Sequence, residues 1–238
     1  GCCYLSAEMR VGKSLISLFS LDGEDILVLT KKNAMSGWKE TITAIGSSAD
    51  VLNYEKAHKI DASKYTAIVL DESHSKISSF PKLSVTAEKV KNLCRGKKIL
   101  WLSGTPSPES FSQLFHQFYM SDNSPFRRYN NFYEWFDDYG ISNSFVVDGR
   151  VIELYKETRV DKLLDVIKPY MVSITQRDAE FEIVLDETVV EIEADAELYD
   201  MMNDLENIGN ISIGSLSITS KNKLGILQKL HQIASGTV

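Results

Sequence analysis

Thr66-Ala67-Ile68-Val69-Leu70-Asp71-Glu72-Ser73-His74 is the stretch on which the fold turns. An uncharged, mostly apolar run ends in two adjacent carboxylates and a histidine. A continuously apolar strand is buried on both faces, which is the mark of a parallel sheet covered by helices. Such folds bind ligands at the carboxyl ends of their strands. Asp71 is thus placed to hold a Mg²⁺ shell, and Glu72 to orient and polarise an attacking water.

Outward from this stretch the same pattern recurs. Residues 2–6, 26–30, 50–53 and 98–102 read as further strands, and residues 12–21, 36–45, 85–94 and 109–120 as amphipathic helices between them. The alternation predicts an α/β domain with a doubly wound, mostly parallel sheet. Beyond Met120 the character changes. An aromatic-dense stretch (Phe126, Tyr129, Phe132, Tyr133, Trp135, Phe136, Tyr139) precedes a hairpin signal around Asp148-Gly149. A helix at 161–167 stopped by Pro169 and a strand at 171–175 follow. Residues 183–193 read as half-exposed strand, 196–205 as an acidic helix, 210–220 as a polar mobile loop, and 223–234 as a last amphipathic helix.

Composition narrows the function classes. The 238 residues are 43% hydrophobic and 25% charged, enough for a full core without staples. Cys2, Cys3 and Cys94 make neither a zinc pattern nor a disulfide ladder and fit a reducing, intracellular setting. No apolar run approaches the roughly 18 residues of a membrane span, and His58, His116 and His231 show no metal-ligand spacing. The formal charge of −7 argues against a nucleic-acid binder until its distribution is read. Residues 181–210 hold ten acids and no Lys or Arg, so the remainder carries 26 basic against 23 acidic residues, a net +3. One acidic segment supplies the whole deficit.

Two further motifs stand at strand ends. Ala7-Glu8-Met9-Arg10-Val11-Gly12-Lys13-Ser14 follows a strand and opens a helix. Gly-Lys-Ser there is the core of a phosphate-binding loop: backbone N–H groups and the helix dipole face the phosphates, Lys13 reaches the β and γ oxygens, and Ser14 can hold Mg²⁺. Ala7 stands where the full pattern has its first Gly. Leu102-Ser103-Gly104-Thr105-Pro106 offers hydroxyls to the turn at 71–74.

The three motifs together resemble the first, RecA-like motor lobe of superfamily-two helicases, and within them the Swi/Snf-type branch. Residues 8–14 are similar to that branch's Asp-Glu-Met-Gly-Leu-Gly-Lys-Thr. Residues 27–38, ending in Gly37-Trp38-Lys39-Glu40, resemble its motif along the DNA backbone; Asn53-Tyr54-Glu55 its motif before the Asp-Glu box; 171–178 the segment leaving the first lobe; and 227–236 a helix leading toward the second. The resemblance implies a DNA helicase or double-strand DNA translocase that couples hydrolysis of ATP, with Mg²⁺, to movement on nucleic acid. It assigns Met9, Arg10, Val11, Gly12, Lys13, Ser14, Leu15, Ser103 and Thr105 to ATP, and Ser14 and Asp71 to Mg²⁺. Catalysis falls to Glu72, Asp71 and Lys13, and contact with nucleic acid to Lys31, Lys32, Trp38 and Lys39. The expected domains are an ATP-binding lobe at 1–178, with an insertion at 121–160, and an acidic connector at 179–238 beginning a second lobe. The second lobe's arginine finger is expected beyond the last residue, so hydrolysis by these residues alone should be slow.

Departures and rivals accompany this reading. Arg10 replaces a family Gly, and Glu109 stands where the branch has Asn. Trp38 also fits a core anchor. The aromatics at 126–139 fit a packed satellite subdomain better than base-stacking platforms, and Lys89, Lys91, Arg95, Lys97 and Lys98 fit a solvated basic face. A nucleotide kinase explains the phosphate loop but neither Asp-Glu-Ser-His nor Ser-Gly-Thr-Pro. A nucleotide-gated binding module without efficient hydrolysis, and an RNA helicase, are the remaining alternatives.

Overall fold

The computed structural model describes residues 1–147, 149–180, 188, 196–213, 216–219 and 223–234. The chain divides into two units, Gly1–Ile183 and Val184–Val238. In the first, β1 (Cys2–Ala7), α1 (Lys13–Ser20), β2 (Ile26–Thr30), α2 (Met35–Ile45), β3 (Asp50–Asn53), β4 (Ala67–Asp71), α3 (Val85–Cys94), β5 (Lys98–Ser103) and α4 (Gln113–Phe118) follow in order. Then come α5 (Phe132–Tyr139), β6 (Asn143–Val147), β7 (Arg150–Leu154), α6 (Val160–Ile167) and β8 (Met171–Ile174). The six-stranded sheet has the order β3-β2-β4-β5-β1-β8. Every pairing within it is parallel.

Period-two alternation along the strands decides which face each helix covers. Tyr4, Leu27, Leu29, Ile68, Leu70, Ile99 and Trp101 face one core with residues of α3, α4, α5 and α6. Leu5, Ile26, Val28, Ala67, Val69, Leu100 and Leu102 face the other, with Leu18 of α1 and Trp38 and Ile42 of α2. β2 and β4 are buried at every position, as strands covered on both faces must be. The fold is thus the expected RecA-like α/β arrangement.

Two differences from the sequence reading have local causes. The helix expected over 109–120 is only Gln113–Phe118. Before it, the Ser110 and Ser112 hydroxyls bond the Lys156 and Tyr155 carbonyls and hold the chain in turns. The aromatics at 126–139 form no satellite: Phe126, Phe132, Trp135 and Phe136 are continuous with the sheet's own core through Phe115 and Phe118. The expected hairpin around Gly149 is β6–β7, paired from Asn143↔Leu154 to Val147↔Arg150.

In the second unit lie α7 (Ala196–Ile208), β9 (Asn210–Ile213), β10 (Leu216–Thr219) and α8 (Lys223–Ala234). The polar loop expected at 210–220 is instead an antiparallel hairpin, in the register Ile211↔Ile218 and Ile213↔Leu216. Leu205, Ile211 and Ile233 make a small core of its own. The strand expected at 183–193 lies outside the described residues. No helix among the described residues is long and apolar enough to cross a membrane.

Candidate nucleotide site and basic groove

Because all six strands run parallel, the loops after β1, β2, β4, β5 and β8 emerge at one edge of the sheet. The loop from Glu8 to Gly12 is shaped by two left-handed residues, Arg10 (φ 66°) and Gly12 (φ 81°). Glycine is at ease there, whereas for arginine the conformation costs about 1–2 kcal/mol. Val11 is buried and anchors the loop in the core, while Met9 and Arg10 are exposed. No side chain caps α1, so its first N–H groups are open to an anion. Lys13 Nζ lies folded onto the loop, donating to the carbonyls of Ala7 (2.7 Å) and Glu8 (2.9 Å).

The segment after β8 clasps this loop from the side. Gln176 donates its backbone N–H to Glu8 (2.7 Å) and its side-chain amide to the Met9 carbonyl (3.0 Å). On the other side Gly104 closes in: a Cβ built on it would stand 3.3 Å from the Ala7 carbonyl and 3.8 Å from Lys13 Nζ. The Ser-Gly-Thr-Pro loop and the loop that leads into α1 therefore touch.

Asp71 ends β4 and is 8% exposed. Its Oδ2 accepts from the Thr30 hydroxyl (2.6 Å) and the Trp38 indole N–H (2.8 Å), and its backbone carbonyl from the Tyr54 hydroxyl (2.8 Å). Burial, followed by the charge of Asp71, pushes the Tyr54 hydroxyl far up, so it stays a donor. Trp38 is therefore no surface platform for nucleic acid. It is 4% exposed, packed under β2 and β4, with its indole N–H committed to Asp71. Among the described residues Oδ1 of Asp71 and the Ser14 hydroxyl take no hydrogen bond, leaving two hard oxygen ligands of the kind Mg²⁺ takes. No cluster of three or more His, Cys, Asp or Glu among the described residues is placed to hold a metal by itself.

Glu72 follows in the left-handed conformation (φ 50°, ψ 42°). Among the described residues only Arg10, Glu72 and Glu180 are left-handed without being glycine, and two of these lie here, where strain is most often stored. His74 Nδ1 stands 3.5 Å from Glu72 Oε2 and shares a 2.7 Å hydrogen bond with the Ser103 hydroxyl. Ser103 is fully buried and also receives the Thr105 N–H (3.0 Å). It thus touches the turn after β4, while the exposed Thr105 faces outward.

Burial holds the His74 imidazole below its usual range; the Glu72 carboxylate opposes this and Lys31 adds to it. His116, buried beside Ser79, is lowered in the same sense. Unfolded histidines take up a proton near about pH 6.5, folded ones only at lower pH. Between those points the unfolded chain binds more protons at these two histidines, so their contribution to stability falls as pH falls below about 6.5 and is level above it. His74→Asn should reduce that slope in thermal unfolding followed from about pH 7.5 to 5. An unchanged slope would remove His74 from the account.

Lys31, Lys32, Asn33, Asn53, Glu55, Ser75 and Lys76 line an open cavity of about 870 Å³. Two of the four residues expected at nucleic acid, Lys31 and Lys32, are thus gathered with Asn53 and Glu55 of the motif before the Asp-Glu box and with Asn33, Ser75 and Lys76, to which the sequence reading assigned no role. Lys39 is exposed on α2, outside that lining. Lys76 pairs with Glu55 at 2.7 Å, a surface pair worth little. The other basic patch is largely engaged internally: Lys91 donates to the Tyr119 carbonyl (3.0 Å), Lys97 to that of Tyr65 (2.6 Å), and Lys98 pairs with Glu24. Partial burial brings the Lys91 ammonium down to about 8.

Against known families, the model of the SNF2-related domain matches residues 31–234. The match takes in Asp71, Glu72, Ser103, Thr105 and the lysine-lined groove, and begins after the Lys13 loop. Comparison with curated proteins gave no match.

Proposed function

The chain belongs to the SNF2-related domain family, whose members are ATP-hydrolysing motors acting on nucleic acid, and on that premise we propose that it is the ATP-binding lobe of a DNA-dependent ATPase, a helicase or double-strand translocase. The observation that carries this is the convergence of three strand-end loops at one sheet edge, with Gly104 against both the Ala7 carbonyl and Lys13.

In this reading Lys13 exchanges its two loop carbonyls for phosphate oxygens, and the open N–H groups of α1 bind the same phosphates. Ser14 and Asp71 would hold Mg²⁺, which when bound neutralises phosphate charge. Thr30 and Trp38 keep Asp71 Oδ2 occupied and so aim Oδ1 outward. Glu72 accepts a proton from the attacking water. His74 and Ser103 tie that carboxylate's turn to the loop carrying Thr105, whose exposed hydroxyl reports nucleotide state.

Duplex DNA is assigned to the groove of Lys31, Lys32 and Lys76, with Lys39 as an outlying contact. Excess charge outside the acidic segment is small, so binding should be weak, sequence-independent and salt-sensitive. Replacing Lys31 and Lys32 by Glu should weaken duplex binding more than tenfold or so and flatten its log–log salt dependence by roughly two phosphate contacts. ATP binding should stay nearly unchanged. Fluorescence anisotropy of labelled duplex DNA at two salt concentrations, beside a nucleotide titration, measures both. Wild-type affinity in the double variant would exclude the groove, and tighter binding of duplex RNA would exclude DNA as the substrate.

A further inference from the structure

Behind the strand-end loops, on the face of the sheet away from α1, lies a buried polar cluster that the proposed chemistry does not use. Gln117 of α4 is wholly buried, and every hydrogen-bonding position of its amide is filled. Its Oε1 accepts from the Tyr4 hydroxyl (2.7 Å) and the Ser73 hydroxyl (2.6 Å). Its Nε2 donates to the carbonyls of Pro106 (2.8 Å) and Gln113 (3.0 Å). Two carbonyls on one side fix which end of the amide is nitrogen, since the flipped group would set oxygen against oxygen. No apolar side chain can reproduce this pattern. A carboxylate, which has no N–H, cannot satisfy Pro106 and Gln113 together.

The partners give the cluster its meaning. Ser73 directly follows the left-handed Glu72, and Pro106 ends the Ser103–Gly104–Thr105 loop. These two loops are already joined once by His74 and Ser103. Gln117 joins them a second time, from inside the core, where an unsatisfied group is costly. The Tyr4 and Ser73 oxygens lie 3.0 Å apart; with both hydroxyl protons directed at Oε1, that contact holds no proton of its own. Tyr4 shares the amide oxygen and reaches the Ser103 hydroxyl, but it does not bond Pro106 and so lies outside the Ser73-to-Pro106 path.

We infer that Gln117 is a positioning residue for Glu72: its amide binds the turn after β4 and the loop after β5 into one unit, so that displacing either displaces both. Its meaning for catalysis rests on the function proposed above; the coupling itself does not.

The test compares two deletions that cost one buried hydroxyl bond each to the same oxygen. Ser73→Ala cuts the path to Pro106, and Tyr4→Phe does not. Hydrogen exchange of the Thr105 amide, read by NMR in the 238-residue chain without nucleotide, should speed about tenfold in Ser73→Ala and distinctly less in Tyr4→Phe, which loosens only the Ser103 hydroxyl beside it. Gln117→Met, which fills the same space without hydrogen bonds, should match or exceed Ser73→Ala. Equal effects of Ser73→Ala and Tyr4→Phe, or an unmoved Thr105 amide in both, would reduce Gln117 to core filling and overturn the inference. Should Gln117→Met fail to fold, the two hydroxyl variants still decide. A separate titration with an ATP analogue keeps the questions apart: coupled exchange in a chain that binds no ATP would refute the proposed function and leave the coupling standing.

Discussion

Lys13→Ala should lower affinity for an ATP analogue by about a hundredfold or more while leaving the melting temperature almost unmoved. The ammonium sits on two loop carbonyls, Ala7 and Glu8, and water can replace it there when the side chain is cut. Phosphate offers no such substitute, because Lys13 is the one cation of α1 itself, Arg10 being exposed in the preceding loop, and the first-turn N–H groups carry only partial charge. Lys13→Arg should recover part of the loss, since charge is kept but the broad guanidinium fork fits the carbonyl pair poorly. Isothermal titration of the three proteins, with thermal unfolding alongside, decides the matter. Wild-type affinity in Lys13→Ala would mean that residues 8–14 do not hold phosphate.

Asp71 should separate into two roles under two substitutions. Asp71→Asn keeps an oxygen for Thr30 and Trp38 and removes the charge. It should fold nearly as well as wild type and lose most of any Mg²⁺-dependent gain in nucleotide affinity. Asp71→Ala also strands the Thr30 hydroxyl and the Trp38 indole in the core, which costs about 2–4 kcal/mol. For a unit of this size that lowers the melting temperature by roughly 5–12 °C. Equal thermal loss in both variants would show that the charge, and not the two hydrogen bonds, stabilises this corner. Equal response to Mg²⁺ in wild type and Asp71→Asn would remove Asp71 from the metal shell.

The sheet was legible because its signal is local. Residues 26–30 and 50–53 read as short strands between helical stretches, 85–94 and 223–234 as amphipathic helices, and they match β2, β3, α3 and α8 residue for residue. Burial on both faces makes a strand uniformly apolar, and this one pattern identified β2 and β4. Features set by distant partners were not legible. Trp38 fits a platform and, better, a core anchor, and only Asp71, 33 residues on, decides by claiming its N–H. Gln117 sits in a stretch that reads only as an amphipathic helix, and its partners Tyr4 and Ser73 are 113 and 44 residues away. A buried glutamine leaves no periodic trace; its one sequence signal is a polar residue on the helix's apolar side, beside Leu114 and Phe118. The hairpin β9–β10 was hidden by serine content, which masked the alternation of Ile211, Ile213, Leu216 and Ile218.

The place of β1 in the sheet has a consequence for how the chain is made. Its two neighbours both come later: Cys2 pairs with Ile99, and Tyr4 with Met171, a separation of 167 residues. The strand that leads into the loop at residues 8–14 leaves the ribosome before both of its neighbours and waits for them to be paired. Contacts this remote in sequence close slowly, because the intervening chain must be ordered first. Until residue 171 has emerged, β1 presents an apolar face and an open edge, the state most exposed to aggregation and to chaperones. Translation that stalls before β8 would therefore leave residues 8–14 on an unpaired strand edge, as a substrate for quality control.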